Sequence, residues 1–378
     1  MEFRLEEIFD LQMGKTPPRN NKEYWNTSDN KWISISDLSK CGKYIGNTKE
    51  FISNDAVKDS GISLIPSNTV IMSFKLSIGK TAITSEEMYS NEAIMSFIDK
   101  RIVEILPDYI YYMFSAKNWD DGTNKAVMGK TLNKATLSKI KINIPNIEFQ
   151  NEVVKILDKV SELIADRKAE LIKLDDLIKA RFVELFIGKG YPSKTVDEVS
   201  LGKGEYGAQS ASVEYDPARP RYVRITDIND DGTLNDDVVA SINLADDEQY
   251  KLEYGDFMFA RMGATVGKTY AFIEGNQIFA GYLIRYRLNR ELINPRYLFW
   301  YTKLDEYWNW VKLNQSGAAQ PGINAKKYGS LQIPLPPIEE QNAFAAFVEQ
   351  TDKSKLAVQE ALDKAQLLFD SLMQEYFG

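Results

Sequence analysis

Residues 142–153 read INIPNIEFQNEV, and residues 333–344 read IPLPPIEEQNAF. At an offset of 191 these stretches, and the runs that follow them to Phe186 and Phe377, align without a gap. Pro145 meets Pro336, Ile147 meets Ile338, Gln150 meets Gln341, and Leu171 meets Leu362; Phe186 falls on Phe377. Between Glu148 and Phe186 there is no proline or glycine, while Pro145 precedes the run and Gly188-Lys189-Gly190 follows it. These are helix start and stop signals. Steps of four and three from Val153 give Val153, Leu157, Val160, Ile164, Arg167, Leu171, Leu174, Ile178, Arg181 and Leu185, eight of ten apolar. The second copy gives Phe344, Val348, Thr351, Lys355, Val358, Leu362, Ala365, Phe369, Leu372 and Tyr376, again eight of ten. That spacing is a heptad seam. A run of about 39 residues, rising about 1.5 Å each, makes a rod of roughly 60 Å. One such rod alone exposes an apolar stripe. Two in one chain bury each other as an antiparallel intramolecular coiled coil. The alternative is two separate amphipathic helices, each lying on its own domain.

Working outward, the regions before the helices repeat more loosely. Trp32–Leu38 (WISISDL) parallels Tyr222–Ile228 (YVRITDI), and Ile78-Gly79-Lys80-Thr81 parallels Val266-Gly267-Lys268-Thr269. Pro107-Asp108-Tyr109-Ile110 parallels Pro295-Arg296-Tyr297-Leu298, and Leu132-Asn133 parallels Ile323-Asn324. The chain is two copies of one unit, a variable globular domain followed by a long helix. The expected layout is a first domain over 1–146, a helix over 147–189, a second domain over 190–337 and a second helix over 338–378. Trp32–Ile35, Thr69–Met72 and Tyr222–Ile225 predict strands. Tyr109–Phe114 and Tyr297–Tyr301 each follow a proline and predict helices with aromatic core faces. The fold class is therefore α/β: two repeated mixed α/β domains, separated by the paired helices and related by a pseudo-twofold.

The 378 residues are 44% hydrophobic and 26% charged, with a formal net charge of −8. Residues 1–146 carry +1, 147–189 carry −1, 190–337 carry −3, and 338–378 carry −5. An acidic chain argues against a stand-alone nucleic-acid binder but leaves room for local basic loops or a basic partner. There is no histidine and one cysteine, Cys41. Histidine-dependent triads and dyads, HExxH zinc sites, disulfide frameworks and cysteine zinc sites are excluded. The opening MEFRLEEIFD has neither the basic nor the apolar region of an export signal, and no window holds 18 consecutive apolar residues. The expectation is a cytoplasmic chain that does not enter a membrane.

Gly-Lys-Thr occurs at Gly14, Gly79, Gly129 and Gly267. A phosphate-binding P-loop needs a glycine five positions before the Gly-Lys pair, where this chain has Phe9, Phe74, Asn124 and Met262. Neither Pro-Pro site, at Pro17-Pro18 or Pro336-Pro337, has the sequence of a methyltransferase tetrapeptide. What remains is a small basic loop in each copy, Phe74–Thr81 and Arg261–Thr269. Glycines permit close backbone approach, and Lys, Arg, Ser and Thr suit phosphates and base edges. A solvated hairpin turn is the competing reading.

The pattern resembles the specificity (S) subunit of type I restriction–modification systems over essentially the whole chain. The carriers are Gly14-Lys15-Thr16-Pro17-Pro18, Tyr24-Trp25, Trp32–Asp37, Ser77-Ile78-Gly79-Lys80, Leu132-Asn133, Ile142–Pro145 with Glu148-Phe149-Gln150, and Ile333–Pro337 with Glu339-Glu340-Gln341. The second copy departs at its start, where Gly204-Glu205-Tyr206-Gly207-Ala208 lacks the Thr-Pro-Pro element. The resemblance implies two target-recognition domains, each reading half of a split double-stranded DNA site and held apart by the coiled coil. It also implies two docked methyltransferase subunits that use S-adenosylmethionine, and motor–nuclease restriction subunits that use ATP and Mg2+. The chain itself would hold no cofactor or metal and would not be an enzyme. The DNA-binding candidates are Lys15, Arg19, Lys75, Ser77, Lys80, Thr81 and Lys130 in the first copy, and Arg224, Arg261, Thr265, Lys268, Thr269 and Gln320 in the second. A coiled-coil scaffold holding two protein-binding domains is the rival reading.

Overall fold

Short β-branched and aromatic runs form the strands, and their doubly buried character places them at the centre of each globular part. Val70–Ser73 is buried at all four positions and Asp256–Ala260 at all five. The computed structural model describes residues 1–75, 77–119, 124–126, 129–244, 247–316 and 321–378, with 124–126 and 129–131 described for their backbone alone. The chain forms two compact units, Met1–Arg167 with Ala361–Gly378, and Lys168–Glu360.

In the first unit a sheet runs Phe9–Met13, Ile94–Asp99, Val70–Ser73, Thr81–Thr84, Tyr44–Ile45. Its first four strands are antiparallel neighbours, and the last pairs in parallel. In the second unit the sheet runs Glu205–Tyr206, Leu283–Arg287, Asp256–Ala260, Thr269–Ala271, all antiparallel. The order of those four strands is the same. Each unit adds a parallel pair, Trp32-Ile33 with Tyr89-Ser90 and Arg221–Val223 with Gln277–Phe279. Each also adds an antiparallel pair that joins the start of the unit to the strand before its long helix: Glu2–Arg4 with Lys141–Asn143, and Ser193–Thr195 with Gln332–Pro334.

Two expected strands stop early for a common reason. Trp32–Ile35 ends as a strand at Ile33, because Ser34 caps a short helix and exchanges hydrogen bonds with Asp37. Tyr222–Ile225 ends at Val223, and the Arg224 amide donates to Asp227. An aspartate three residues after a cap accepts from the chain and turns it.

The helices Pro107–Ala116 and Pro295–Tyr301 start on proline, as expected at a first helical position. Tyr109, Tyr112 and Phe114 are buried in the first unit, and Tyr297 and Tyr301 in the second, so these aromatics are core.

The long helices span Ile147–Phe186 and Ile338–Phe377. Within the first unit, Phe149 meets Tyr376 at 6.1 Å, and Phe369, Leu372 and Phe377 pack on the core that holds Val153 and Leu157. Within the second, Phe182 meets Phe344 at 5.3 Å and Lys355 donates to Asp175 at 2.7 Å. In both units residue numbers rise along one helix as they fall along the other, so the helices pack antiparallel. The seam departs from the strict heptad at one end. Phe182 and Phe186 are buried, whereas Arg181 is exposed and pairs with Glu184 at 2.7 Å. The aromatic cluster of Tyr297 and Phe344 takes the larger rings and moves the seam by one residue.

Gln150 and Gln341 have identical roles. Gln150 is fully buried; its amide oxygen accepts from Leu106 N at 2.9 Å, and its Nε2 donates to the carbonyls of Glu104 and Pro145, both at 3.0 Å. Gln341, also fully buried, accepts from Asn294 N at 2.9 Å and donates to Leu292 at 3.0 Å and Pro336 at 2.8 Å. No helix among the described residues is long and apolar enough to cross a membrane.

Candidate nucleic-acid interface

Both basic loops are hairpin connections, between Val70–Ser73 and Thr81–Thr84 and between Asp256–Ala260 and Thr269–Ala271. Gly79 and Gly267 close them with φ of +89° and +92°. Gly79 N donates to Ser73 O at 2.9 Å and Gly267 N to Ala260 O at 3.0 Å. A Cβ at Gly79 would lie 2.8 Å from Trp119, and one at Gly267 would lie 2.9 Å from Trp308. Positive φ and an indole against the backbone both require glycine here.

A second segment crosses beside each loop. Gly14 N donates to Ile94 O at 3.2 Å and Lys15 N to Ser90 O at 2.9 Å; in the second unit Gly207 N donates to Leu283 O at 3.4 Å and Ala208 N to Phe279 O at 2.9 Å. A Cβ on Gly14 would lie 2.2 Å from Ser90 O, and one on Gly207 2.3 Å from Phe279 O. The opening loop of the second copy therefore keeps its frame although it lacks Thr-Pro-Pro. The loop base joins this frame in both units, with Phe74 N donating to Ala93 O and Arg261 N to Tyr282 O, each at 3.0 Å.

These bonds align the side chains. Phe74 takes the place of Arg261, Ala93 that of Tyr282, Glu92 that of Gly281, and Met13 that of Tyr206. Met13, Tyr206 and Tyr282 are exposed at 43%, 41% and 54%. The backbone is repeated and the presented chemistry is not.

The expected contact residues divide by what already holds them. Lys80 Nζ donates to Ser39 Oγ at 2.7 Å, and Lys268 Nζ donates to Ile228 O at 3.2 Å and pairs with Asp230 at 2.8 Å. Both tie the loop to the segment after the capped strand. Arg224 pairs with the buried Asp227 at 2.8 Å, and Lys15 Nζ donates to the carbonyls of Ser60 and Gly61 at 3.1 and 2.9 Å. Thr81 and Thr265 donate to loop carbonyls, of Gly79 at 3.0 Å and Met262 at 3.3 Å. Thr269 is 2% exposed and shares a hydrogen bond with Thr302 at 2.8 Å. Ser77 is exposed, and its carbonyl accepts from Ser73. Arg19 pairs with Glu50 and stacks 3.7 Å from the centre of Trp25. Gln320 and the side chain of Lys130 lie outside the described residues.

Among the expected contact residues, Arg261 and Lys75 have no carboxylate partner among the described residues. Asp256, on the strand that leads into the Arg261 loop, pairs with Arg285 at 3.4 Å. Arg261 lies 4.9 Å from the centre of the Tyr206 ring and donates to Gly281 O at 3.3 Å, with no carboxylate within 4 Å among the described residues. Lys75 is half-buried, 5.2 Å from the Phe74 ring centre. Sequence reasoning missed Tyr206, Tyr282 and Glu92, because nothing in their local pattern links them to the loops. Glu92 accepts from Thr16, and this bond above all holds its carboxyl below the usual range, with Lys75 and Arg19 adding to the effect.

The arrangement offers donors and aromatic faces on a glycine frame, with no nucleophile–base pair among the described residues. No cluster of metal-ligating side chains occurs among the described residues.

Residues 1–174 and 199–366 match the type I restriction modification DNA specificity domain. The type I restriction enzyme MjaIX specificity subunit of Methanocaldococcus jannaschii is 27% identical over 187 residues, 48% of this chain and 42% of that protein. The matched stretch thus spans about two-fifths of that relative's length. Among solved structures, the S subunit of a type I system from M. genitalium aligns over 100% of this chain and 96% of its own, with a TM-score of 0.58 and 13% identity. A chain described in work on complex assembly and conformational transition of the type I R-M system aligns over 100% and 97%, with a TM-score of 0.63 and 16% identity. At such identities these two show the fold. With two matched copies covering most of its length, the chain belongs to the type I restriction modification DNA specificity family.

Proposed function

We propose that this chain is the sequence-reading subunit of a type I restriction–modification complex. Each unit reads one half of a bipartite double-stranded DNA target, and the antiparallel helices set the spacing of the halves. Methyltransferase subunits dock on the chain and supply the S-adenosylmethionine chemistry, restriction subunits supply ATP- and Mg2+-dependent work, and the chain is not itself catalytic. The observation that carries the reading is a hydrogen-bonded frame repeated bond for bond beneath unlike exposed side chains. Two readers of different half-sites need that division, whereas a scaffold with two protein-binding domains does not.

Within this reading Arg261 contacts a base edge. Arginine is the usual bidentate reader of guanine, and Tyr206 and Gly281 O hold this one with part of its donor fork free. A phosphate contact by Lys268 requires release of Asp230, so Lys268→Ala would loosen the loop as well as weaken binding.

The test is a gel shift of the chain with and without methyltransferase subunits, followed by methylation profiling of Arg261→Ala. At a net charge of −8 the chain alone should bind weakly and with strong salt dependence, and the complex tightly. Arg261→Ala should cost about 1–3 kcal/mol at one base position of one half-site. Tight specific binding by the chain alone rejects the partner dependence, and a profile unchanged at every position removes Arg261 from the reading set.

A further inference from the structure

The slot that holds Gly281 beneath the Arg261 guanidinium holds Glu92 in the first unit. The equivalence rests on flanking backbone bonds: Asn91 N donates to Ile33 O at 3.1 Å and Ala280 N to Val223 O at 2.9 Å, while Ile94 N donates to Asn91 O at 3.2 Å and Leu283 N to Ala280 O at 2.8 Å. Glu92 is exposed, and one of its oxygens accepts from the Thr16 hydroxyl. Its own backbone amide also acts on the carboxyl, and no lysine or arginine nitrogen lies within 4 Å of it among the described residues. The side chain is therefore oriented but unneutralised.

We propose that Glu92 is the base-reading residue of the first unit and accepts a hydrogen bond from the exocyclic amino group of a cytosine in the major groove. The inference rests on the reading of the chain as a DNA-sequence reader. A carboxylate facing a polyanion is unfavourable unless it receives a donor. The cytosine amino group is the donor that carboxylates read there, while the O6 and N7 acceptors of guanine repel it. The Thr16 hydroxyl pre-orients the group, and the Thr16 bond keeps it ionised. Lys75, which acts on Glu92 electrostatically and has no carboxylate partner among the described residues, supplies positive charge that lets a backbone phosphate approach. The two units would thus read by opposite polarity, an acceptor in the first and a donor in the second.

The experiment is selection from a randomised duplex DNA library by the full-length chain co-expressed with its methyltransferase subunits, comparing wild type, Glu92→Gln and Thr16→Val. A glutamine both accepts and donates, and matches adenine. Glu92→Gln should lower preference for cytosine at one position of one half-site by roughly ten- to a hundredfold, moving it toward adenine and leaving the other half-site unchanged. Thr16→Val should blunt discrimination at that same position without altering the rest. Glu92 is exposed and Thr16 half-buried, and an unchanged melting temperature checks that the unit is intact. A Glu92→Gln profile identical to wild type, or equal losses at all positions, overturns the assignment of Glu92 alone. A wild-type complex that selects no bipartite site overturns the reading of the chain and this inference with it.

Discussion

Gln150 and Gln341 show how one side chain can fasten a helix to a domain. Each buried amide satisfies one N–H and two carbonyls from segments that would otherwise end without partners. Removing it orphans buried polar groups, which cost about 1–3 kcal/mol each. Gln150→Ala should therefore destabilise the first unit by at least about 2 kcal/mol, measured by urea unfolding, and Gln341→Ala should do the same to the second. A loss below about 0.5 kcal/mol would mean that water replaces the amide freely. The repeat aligned these glutamines but did not show what they do, since two of the three partners of each lie 44–49 residues upstream. Lys303 gives a second residue-scale test. Burial pulls its ammonium down to about 8, against the pull of Asp231 and Asp230, and its Nζ donates to Asp230 O at 2.6 Å. An unfolded lysine titrates near 10.5. Between these values the unfolded chain holds a proton that the folded unit has released, so stability rises with pH across that window. The burial penalty is present in full below about 8 and relieved above 10.5. Lys303→Met should abolish the rise between pH 8 and 10, read from urea midpoints against wild type; equal rises in both proteins would reject the assignment.

At the scale of elements, the long helices were the most legible part of the sequence, because a 3.5-residue apolar repeat has few other solutions. Even the misses are structural. Thr351 is buried and donates to Phe347 O at 3.0 Å, and Lys355 reaches Asp175 at 2.7 Å. The slip at Arg181 was not legible, since it depends on aromatic rings from distant segments. The hairpin loops were legible as loops, but not the use of their lysines. Lys80 and Lys268 look like free cations in sequence, and their partners come from a segment some 40 residues away. If the helices are the ruler between half-sites, one heptad inserted in each, after Arg167 and after Glu360, should lengthen the gap. Seven residues add about 10 Å, near three base-pair rises, and rotate an ideal helix by only about 20°. The half-sites should stay the same while their separation grows, as methylation mapping would report. An unchanged gap in an active complex would assign the spacing to another part of the assembly.

At the scale of the whole molecule, the units do not follow the order of the chain. The first is built from Met1–Arg167 together with Ala361–Gly378, and Phe369, Leu372, Met373, Tyr376 and Phe377 pack against its core. Antiparallel pairing of the two long helices, as expected from their heptads, brings this last segment back to the first unit. It has a consequence for biosynthesis. A ribosome makes chain vectorially, so the apolar wall around Tyr109 and Leu157 is uncovered while nearly two hundred intervening residues are translated. The second unit, continuous from Lys168 to Glu360, is complete as soon as it leaves the exit tunnel, whereas the first must wait for it. Nascent chains stalled on an added C-terminal linker, long enough to bring Glu360 out of the tunnel while Ala361–Gly378 stays inside, should resist protease in the second unit while the first is still digested, and release of the full chain should protect both. Equal resistance of both units in the stalled chain would show that the first closes without its distant helical segment.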